Sequence, residues 1–177
     1  GVNFRDVLNA LGVLKEYLQA MGFNHSTEVP FGGECAGVVV AVGAGVTNFK
    51  VGDEVFGQSN FGALAEYVCV AENQLVPKPP NASFEEVASI PIAGTTALQS
   101  IRDNGQVEAG QKVLINGASG GVGTFAIQLA KSYNTEVSGV CSSRNVELVR
   151  SLGVDHVIDY TRGDFTENKR DAYDLIV

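Results

Sequence analysis

The sequence predicts an α/β chain in two parts: a partial, barrel-like β domain, then the first part of a doubly wound parallel sheet. Two observations carry this reading. From Glu34 to about Val76 the apolar segments are short and broken by Gly, Asn and Asp at turn positions, as in "ECAGVVVAVG", "VGDEVFG" and "ALAEYVCV". After the Pro- and Asn-rich stretch "LVPKPPNASF" the period changes. The strands "VLINGA", "EVSGVC", "HVIDY" and "YDLIV" then alternate with helical stretches, which is how a parallel sheet is written. The change falls near residues 80 to 95 and divides the chain into domains 1–88 and 89–177.

With 45% hydrophobic and 18% charged residues, the 177-residue chain can bury a core. Its net charge of −8 and lack of any basic run exclude nucleic acid and anionic membrane surfaces as expected partners, because neutralising phosphates takes clustered Lys and Arg. Cys35, Cys69 and Cys141 are odd in number and lie in apolar stretches, where cysteine is expected to behave as a small buried hydrophobe. There is no CxxC pair, and His25 and His156 are isolated, so neither a zinc site nor a disulfide framework is expected. No apolar run approaches the ~20 residues that span a bilayer, and no signal-peptide pattern opens the chain. The cytoplasm is the expected compartment.

The first strand of the second part, Val113 to Ile115, runs into "NGASGG". Val122, Phe125, Ala126, Leu129 and Ala130 then fall on one helical face. Ala118-x-Gly120-x-x-Gly123 therefore sits on a strand-to-helix turn with the spacing of the dinucleotide fingerprint of the Rossmann fold. Gly120 and Gly121 are expected to let backbone N–H groups reach a pyrophosphate, helped by the partial charge of the helix N-terminus, and Gly123 to let the helix pack on the strand. A Gly-rich turn without a ligand is the plain alternative. The next strand ends about 20 residues on, where a ribose-reading Asp or Glu marks many NAD enzymes. Here the chain has "CSSRN", with no carboxylate to bind or repel. Ser142, Ser143 and Arg144 can donate to a 2′-phosphate, which favours NADPH, although Arg144 also reads as a solvated surface charge.

The whole chain resembles the medium-chain dehydrogenase/reductase superfamily in its zinc-independent branch. The motifs are "GVNFRDVL", "PFGGECAGVVVAVGAGVTNFKVGDEVFG", "GALAEYV", "IPIAGTTAL", "INGASGGVGTFAIQLAK" and "LGVDHVIDYT", in this order. The first half is most similar to enoyl reductase domains of polyketide synthases. "VCSSRNVELVRSLGVDHVIDYTRGDFT" is equally similar to stand-alone quinone oxidoreductases. The resemblance implies a chaperonin-10-like barrel followed by a Rossmann domain. Zinc-dependent relatives place Cys where this chain has Val2-Asn3-Phe4, place His where it has Gly33, and insert a four-Cys lobe where it has "QSNFG". Without a Lewis acid, reduction of a polarised C=C bond or a quinone is expected rather than alcohol dehydrogenation.

Residue by residue, the resemblance implies Asn3 as the catalytic residue facing nicotinamide and substrate carbonyl, with a turn Asn as the plain alternative. Thr96 would touch the cofactor near the nicotinamide ribose, and Tyr160 would lie by its 2′-phosphate, although Tyr160 reads equally as an ordinary strand-end aromatic. Ala118, Ser119, Gly120, Gly121, Val122 and Gly123 are the candidates for the diphosphate, beside Ser142, Ser143 and Arg144 for the 2′-phosphate. Asp6 reads as a helix cap or ion-pair partner. Many relatives carry a Tyr where an ungapped reading gives Leu14, with Tyr17 nearby, and a Lys where this chain has Asn145. No general acid is assigned, and water is the expected proton source. The substrate is expected to be a carrier-bound or small enoyl compound. A quinone or alkenal reductase and a non-catalytic NADPH-binding protein are the alternatives. Because a sheet ending at its fourth strand leaves an edge open, the remainder of the enzyme, or a megasynthase, is expected as partner.

Overall fold

The computed structural model describes residues 1–25, 28–163, 166 and 172–177. Residues 164 and 165, within the quinone-reductase-like stretch, lie outside them. The chain divides into two compact units, Gly1–Ile92 and Ala93–Val177.

The first unit opens with α1 (Phe4–Ala10) and α2 (Lys15–Ala20). Asn3 is the extended N-cap of α1, and Asp6 turns back so that its Oδ2 accepts the Asn3 N–H at 2.8 Å. An antiparallel sheet follows, β1 (Glu34–Val38), β2 (Glu54–Gln58) and β3 (Leu75–Pro77), in that spatial order. The short helix α3 (Phe84–Val87) starts at a capping box, Ser83 with Glu86.

Two expected strands differ. "ECAGVVVAVG" is a strand only to Val38. The hairpin closes where the Val39 N–H meets the Asp53 carbonyl and the Gly52 N–H meets the Val39 carbonyl, and Val40 and Val42 beyond it are exposed. "ALAEYVCV" forms no strand, because the N–H groups of Ala63 and Leu64 bond the carbonyls of Gly32 and Phe31 instead of a ladder partner. Its alternation packs no core face: Leu64 and Tyr67 are exposed, and so is Cys69, contrary to the buried reading. Cys141 is buried and Cys35 partly so, and burial raises the thiol pKa of both.

The second unit begins in α4 (Pro91–Leu98), which continues into a π-helical turn over Gln99–Asn104, a feature the pattern of apolar residues did not reveal. The strands β4 (Lys112–Asn116), β5 (Glu136–Cys141), β6 (His156–Asp159) and β7 (Leu175–Ile176) alternate with α5 (Gly121–Ser132) and α6 (Val146–Ser151). All pairings are parallel and the order is β6-β5-β4-β7, the Rossmann half-sheet. Ala126 and Ala130 of α5 are fully buried in one core with Val113, Ile115 and Val137, and Val122, Phe125 and Leu129 are packed against it, which is the face the spacing predicts; Ile127, outside that set, is fully buried as well.

Asp155, just before β6, ties strand to helix. Its carboxylate accepts Lys131 Nζ at 2.8 and 2.9 Å and the Val137 N–H at 2.7 Å. These bonds, the lysine's first, hold its carboxyl below the usual range. The ionised form is thus favoured on folding, so the contribution is present above about pH 4 and is lost as pH falls through the depressed folded value. Asp155→Asn is expected to cost about 1 kcal/mol at pH 7, a modest figure because both partners are about one-third exposed. Urea melts at pH 7 and pH 3 should show the gap from wild type closing in acid.

Candidate functional site

The glycine turn is built by β4 and the sheet beneath it. Val113, Leu114 and Ile115 are buried, and at Gly117 the chain takes φ +73°, a left-handed turn that only glycine makes without strain. Ala118 is then pinned, its methyl fully buried and its N–H on the Val140 carbonyl at 2.9 Å. Gly120 caps α5 with no side-chain hydrogen bond, and the first helical bond runs from the Thr124 N–H to the Gly120 carbonyl. The N–H groups of Gly121, Val122 and Gly123 consequently have no acceptor among the described residues. Gly120 and Gly121 are exposed above them.

A methyl at Gly123 would overlap the Gly117 carbonyl and lie 2.8 Å from Ala118 Cα, whereas one at Gly121 would meet nothing nearer than Ala93 Cβ at 3.8 Å. Three unsatisfied donors at a positive helix end, under an open surface that side chains do not fill, fit a diphosphate. Thr96 lies on α4 three positions after Ala93, exposed, its carbonyl accepting from Ser100 Oγ.

Parallel pairing brings the expected 2′-phosphate residues to one end of the sheet. Ser142 follows β5 directly, and Ser143 and Arg144 lie in a single 3₁₀ turn. Tyr160 follows β6, 54% exposed. Arg144 is exposed and has no ion pair among the described residues. The expectation that no carboxylate stands here needs correction. Register pairs Cys141 with Asp159, and Asp159 Oδ2 accepts the Ser143 hydroxyl at 2.5 Å. The Ser143 bond, and then the Thr161 hydroxyl, hold the Asp159 carboxyl below its ordinary range. Asn145, passed over in sequence because it replaces a lysine, donates from Nδ2 to Ser119 Oγ at 2.9 Å and to Ser142 Oγ at 3.4 Å, clasping the glycine turn to the turn after β5. Its own type was the available signal, since Asn in a turn seeks such partners.

In the first unit, Asn3 is half-buried, and its Nδ2 donates to Glu34 Oε1 at 2.9 Å. Glu34 is 2% exposed, and its Oε2 accepts the Ile92 N–H at 2.8 Å. Sequence reading missed Glu34; the signal was a charged residue inside an apolar strand. Asp6 is a cap, as expected, accepting the N–H groups of Asn3 and Gly32. Tyr17 lines a groove with Arg5, Asn9, Leu14 and Phe61, and the Arg5 guanidinium lies 5.2 Å from the Phe61 ring centre. Among the described residues no three His, Cys, Asp or Glu side chains gather as metal ligands, and no helix is long and apolar enough to cross a membrane.

Two families match in chain order: the alcohol dehydrogenase GroES-like domain over residues 1–80 and zinc-binding dehydrogenase over residues 121–175. The chain is 40% identical over 168 residues to the spectinabilin polyketide synthase system protein NorB of Streptomyces orinoci, a match covering 93% of this chain and 7% of that protein. It is 40% identical over 156 residues to the NADPH-dependent alkenal/one oxidoreductase, chloroplastic, of Arabidopsis thaliana, covering 82% of this chain and 40% of that one. The crystal structure of the JamJ enoyl reductase superposes with a TM-score of 0.85 at 39% identity, over 90% of this chain and 48% of that chain. Apart from the much larger synthase, the chain spans less than half the length of these relatives. A GroES-like match on the antiparallel unit, a dehydrogenase match on the glycine-turn unit and such neighbours together mean that the chain belongs to the medium-chain dehydrogenase/reductase superfamily of oxidoreductases.

Proposed function

We propose that the protein serves in the NADPH-dependent reduction of an activated C=C bond, foremost an α,β-enoyl thioester on a carrier in polyketide or fatty-acid-type synthesis. The observation that carries this is the N–H triplet of Gly121, Val122 and Gly123, without an acceptor among the described residues, with Arg144 at the end of the neighbouring strand likewise without an ion pair among them. NADPH, when bound, supplies the hydride. Thr96 would border its nicotinamide ribose, Ala118 to Gly123 would hold its diphosphate, and Ser142, Ser143, Arg144 and Tyr160 would surround its 2′-phosphate.

Asn3 keeps one Nδ2 hydrogen on Glu34, and the second, which meets no acceptor among the described residues, would serve the substrate carbonyl, whose oxygen gains charge as the double bond is reduced. The reaction is read as zinc-independent. A side chain at Gly33, where zinc-dependent relatives have His, would meet Ile92 Cδ1 at 2.9 Å and Arg5 Nη2 at 3.0 Å. Water delivers the proton in this reading. A hundredfold loss of turnover in Tyr17→Phe with unchanged NADPH affinity would transfer that role to Tyr17. Three free cysteines suit a reducing, cytoplasmic setting.

Reduction of a quinone or alkenal is the second reading, favoured by the relative whose name specifies alkenal/one substrates. Assay of the intact protein with a crotonyl thioester and with a benzoquinone, each with NADPH and NADH, separates the two. The proposal expects the thioester to be turned over with NADPH by at least tenfold in kcat/KM over either the quinone or NADH, about 1.4 kcal/mol of discrimination. A preference for the quinone supports the second reading. Binding of NADPH without turnover of any activated alkene or quinone would mark a non-catalytic binder.

A further inference from the structure

The ends of β5 and β6 hold a cluster of which the proposed function uses only Ser143. Three oxygen-to-oxygen contacts close a triangle: Ser143 Oγ to Asp159 Oδ2 at 2.5 Å, Thr161 Oγ1 to Asp159 Oδ1 at 2.7 Å, and Ser143 Oγ to Thr161 Oγ1 at 2.7 Å. The two hydroxyls own only two hydrogens between them. A carboxylate is the stronger acceptor, so both hydrogens go to Asp159. Ser143 and Thr161 then turn lone pairs, not hydrogens, toward any ligand. The Asp159 side chain is 12% exposed, and its cation partner among the described residues is Arg162, with Nε at 3.3 Å and a side chain 82% exposed. Ser142, Arg144 and Tyr160 remain as outward donors.

Resting on the dinucleotide reading of the glycine turn, we propose that Asp159 is a specificity-determining residue for the ribose 2′ position, limiting how tightly a 2′-phosphate binds beside Arg144. A 2′-phosphate brings about −1.5 to −2 charges and only acceptor oxygens, so it faces the lone pairs of Ser143 and the charge behind them. A 2′-hydroxyl can donate to the same Ser143 oxygen. The Asp159→Asn change removes the charge, and the new amide can donate to Ser143 Oγ, which frees the serine hydrogen for the phosphate. Arg162 acts in the opposite sense, through its pairing with Asp159.

The test is calorimetric titration of 2′,5′-ADP and of 5′-AMP into wild type, Asp159→Asn, Asp159→Glu, Arg162→Gln and the double variant that combines Asp159→Asn with Arg162→Gln, with circular dichroism confirming each fold. The ratio of 2′,5′-ADP to 5′-AMP affinity is expected to rise about tenfold in Asp159→Asn and to stay within about twofold of wild type in Asp159→Glu. Arg162→Gln should lower the ratio about threefold in wild type and leave it unchanged in the Asp159→Asn background, as a coupled pair requires. An unchanged or lower ratio in Asp159→Asn overturns the proposal. If Asp159→Asn does not fold, the Arg162→Gln ratio decides alone: a fall supports the proposal and no change overturns it. Wild type preferring 2′,5′-ADP with an indifferent Asp159→Asn leaves the NADPH reading standing and removes this one. Wild type without that preference, which Asp159→Asn then gains, does the reverse. Wild type that binds neither ligand removes both.

Discussion

Replacing Gly123 with Ala is expected to lower stability by about 2–3 kcal/mol and to abolish dinucleotide binding. The added methyl would sit 2.8 Å from Ala118 Cα and 2.9 Å from its carbonyl carbon, and would overlap the Gly117 carbonyl. All three are backbone atoms, so no rotamer change relieves the clash. Nor can the turn retreat easily, because the Ala118 methyl is fully buried and its N–H is bonded to β5. Either α5 lifts off the sheet, or the turn opens and the Gly121, Val122 and Gly123 donors no longer converge. Urea denaturation, with NADPH titration alongside, measures both effects. Gly121→Ala is the control: its methyl meets only Ala93 Cβ at 3.8 Å, so stability should change by less than about 0.5 kcal/mol, while the methyl projects from the exposed surface a diphosphate must approach. A Gly123→Ala protein as stable as wild type would contradict the packing described.

The second large effect is expected at Glu34. Its two oxygens satisfy the Asn3 side-chain amide and the Ile92 N–H at a position 2% exposed. Glu34→Ala strips both acceptors and leaves a void, for a loss of about 2–4 kcal/mol. Glu34→Gln keeps the volume but sets one amide donor against a donor, either Asn3 Nδ2 or the Ile92 N–H, so an intermediate loss of about 1–2 kcal/mol follows. Urea midpoints should therefore rank wild type, Gln, Ala. Where Asn3 serves the substrate carbonyl as proposed, both variants should also lower kcat, because the Asn3 side chain loses its Glu34 partner. A wild-type midpoint in Glu34→Ala would mean that the carboxyl holds neither partner.

How much was legible follows from how far apart the interacting residues lie. The half-sheet and its glycine turn could be read directly, since Val113 to Ile115, Ala118-x-Gly120-x-x-Gly123 and the 122/125/126/129/130 face are short-range patterns that backbone geometry fixes locally. Even there, the residue that makes the turn is Gly117, one place before the fingerprint, because Ala118 is held inside the sheet. The stretch 63–70 alternated like a strand, yet its N–H groups found loop carbonyls 31 residues away in the case of Gly32 and Ala63. Alternation describes side chains and is silent on which carbonyl a backbone meets.

By itself, the sequence determined the order of sheet, turn and helix, the absence of basic runs and the superfamily that its motifs resemble. Only the tertiary structure decided which charges stand beside those motifs. Parallel register sets Asp159 against Ser143, 16 residues apart, and strand burial sets Glu34 under Asn3, 31 residues apart. Both depend on which residues of two elements come opposite one another, and a one-residue slip in register would undo either contact.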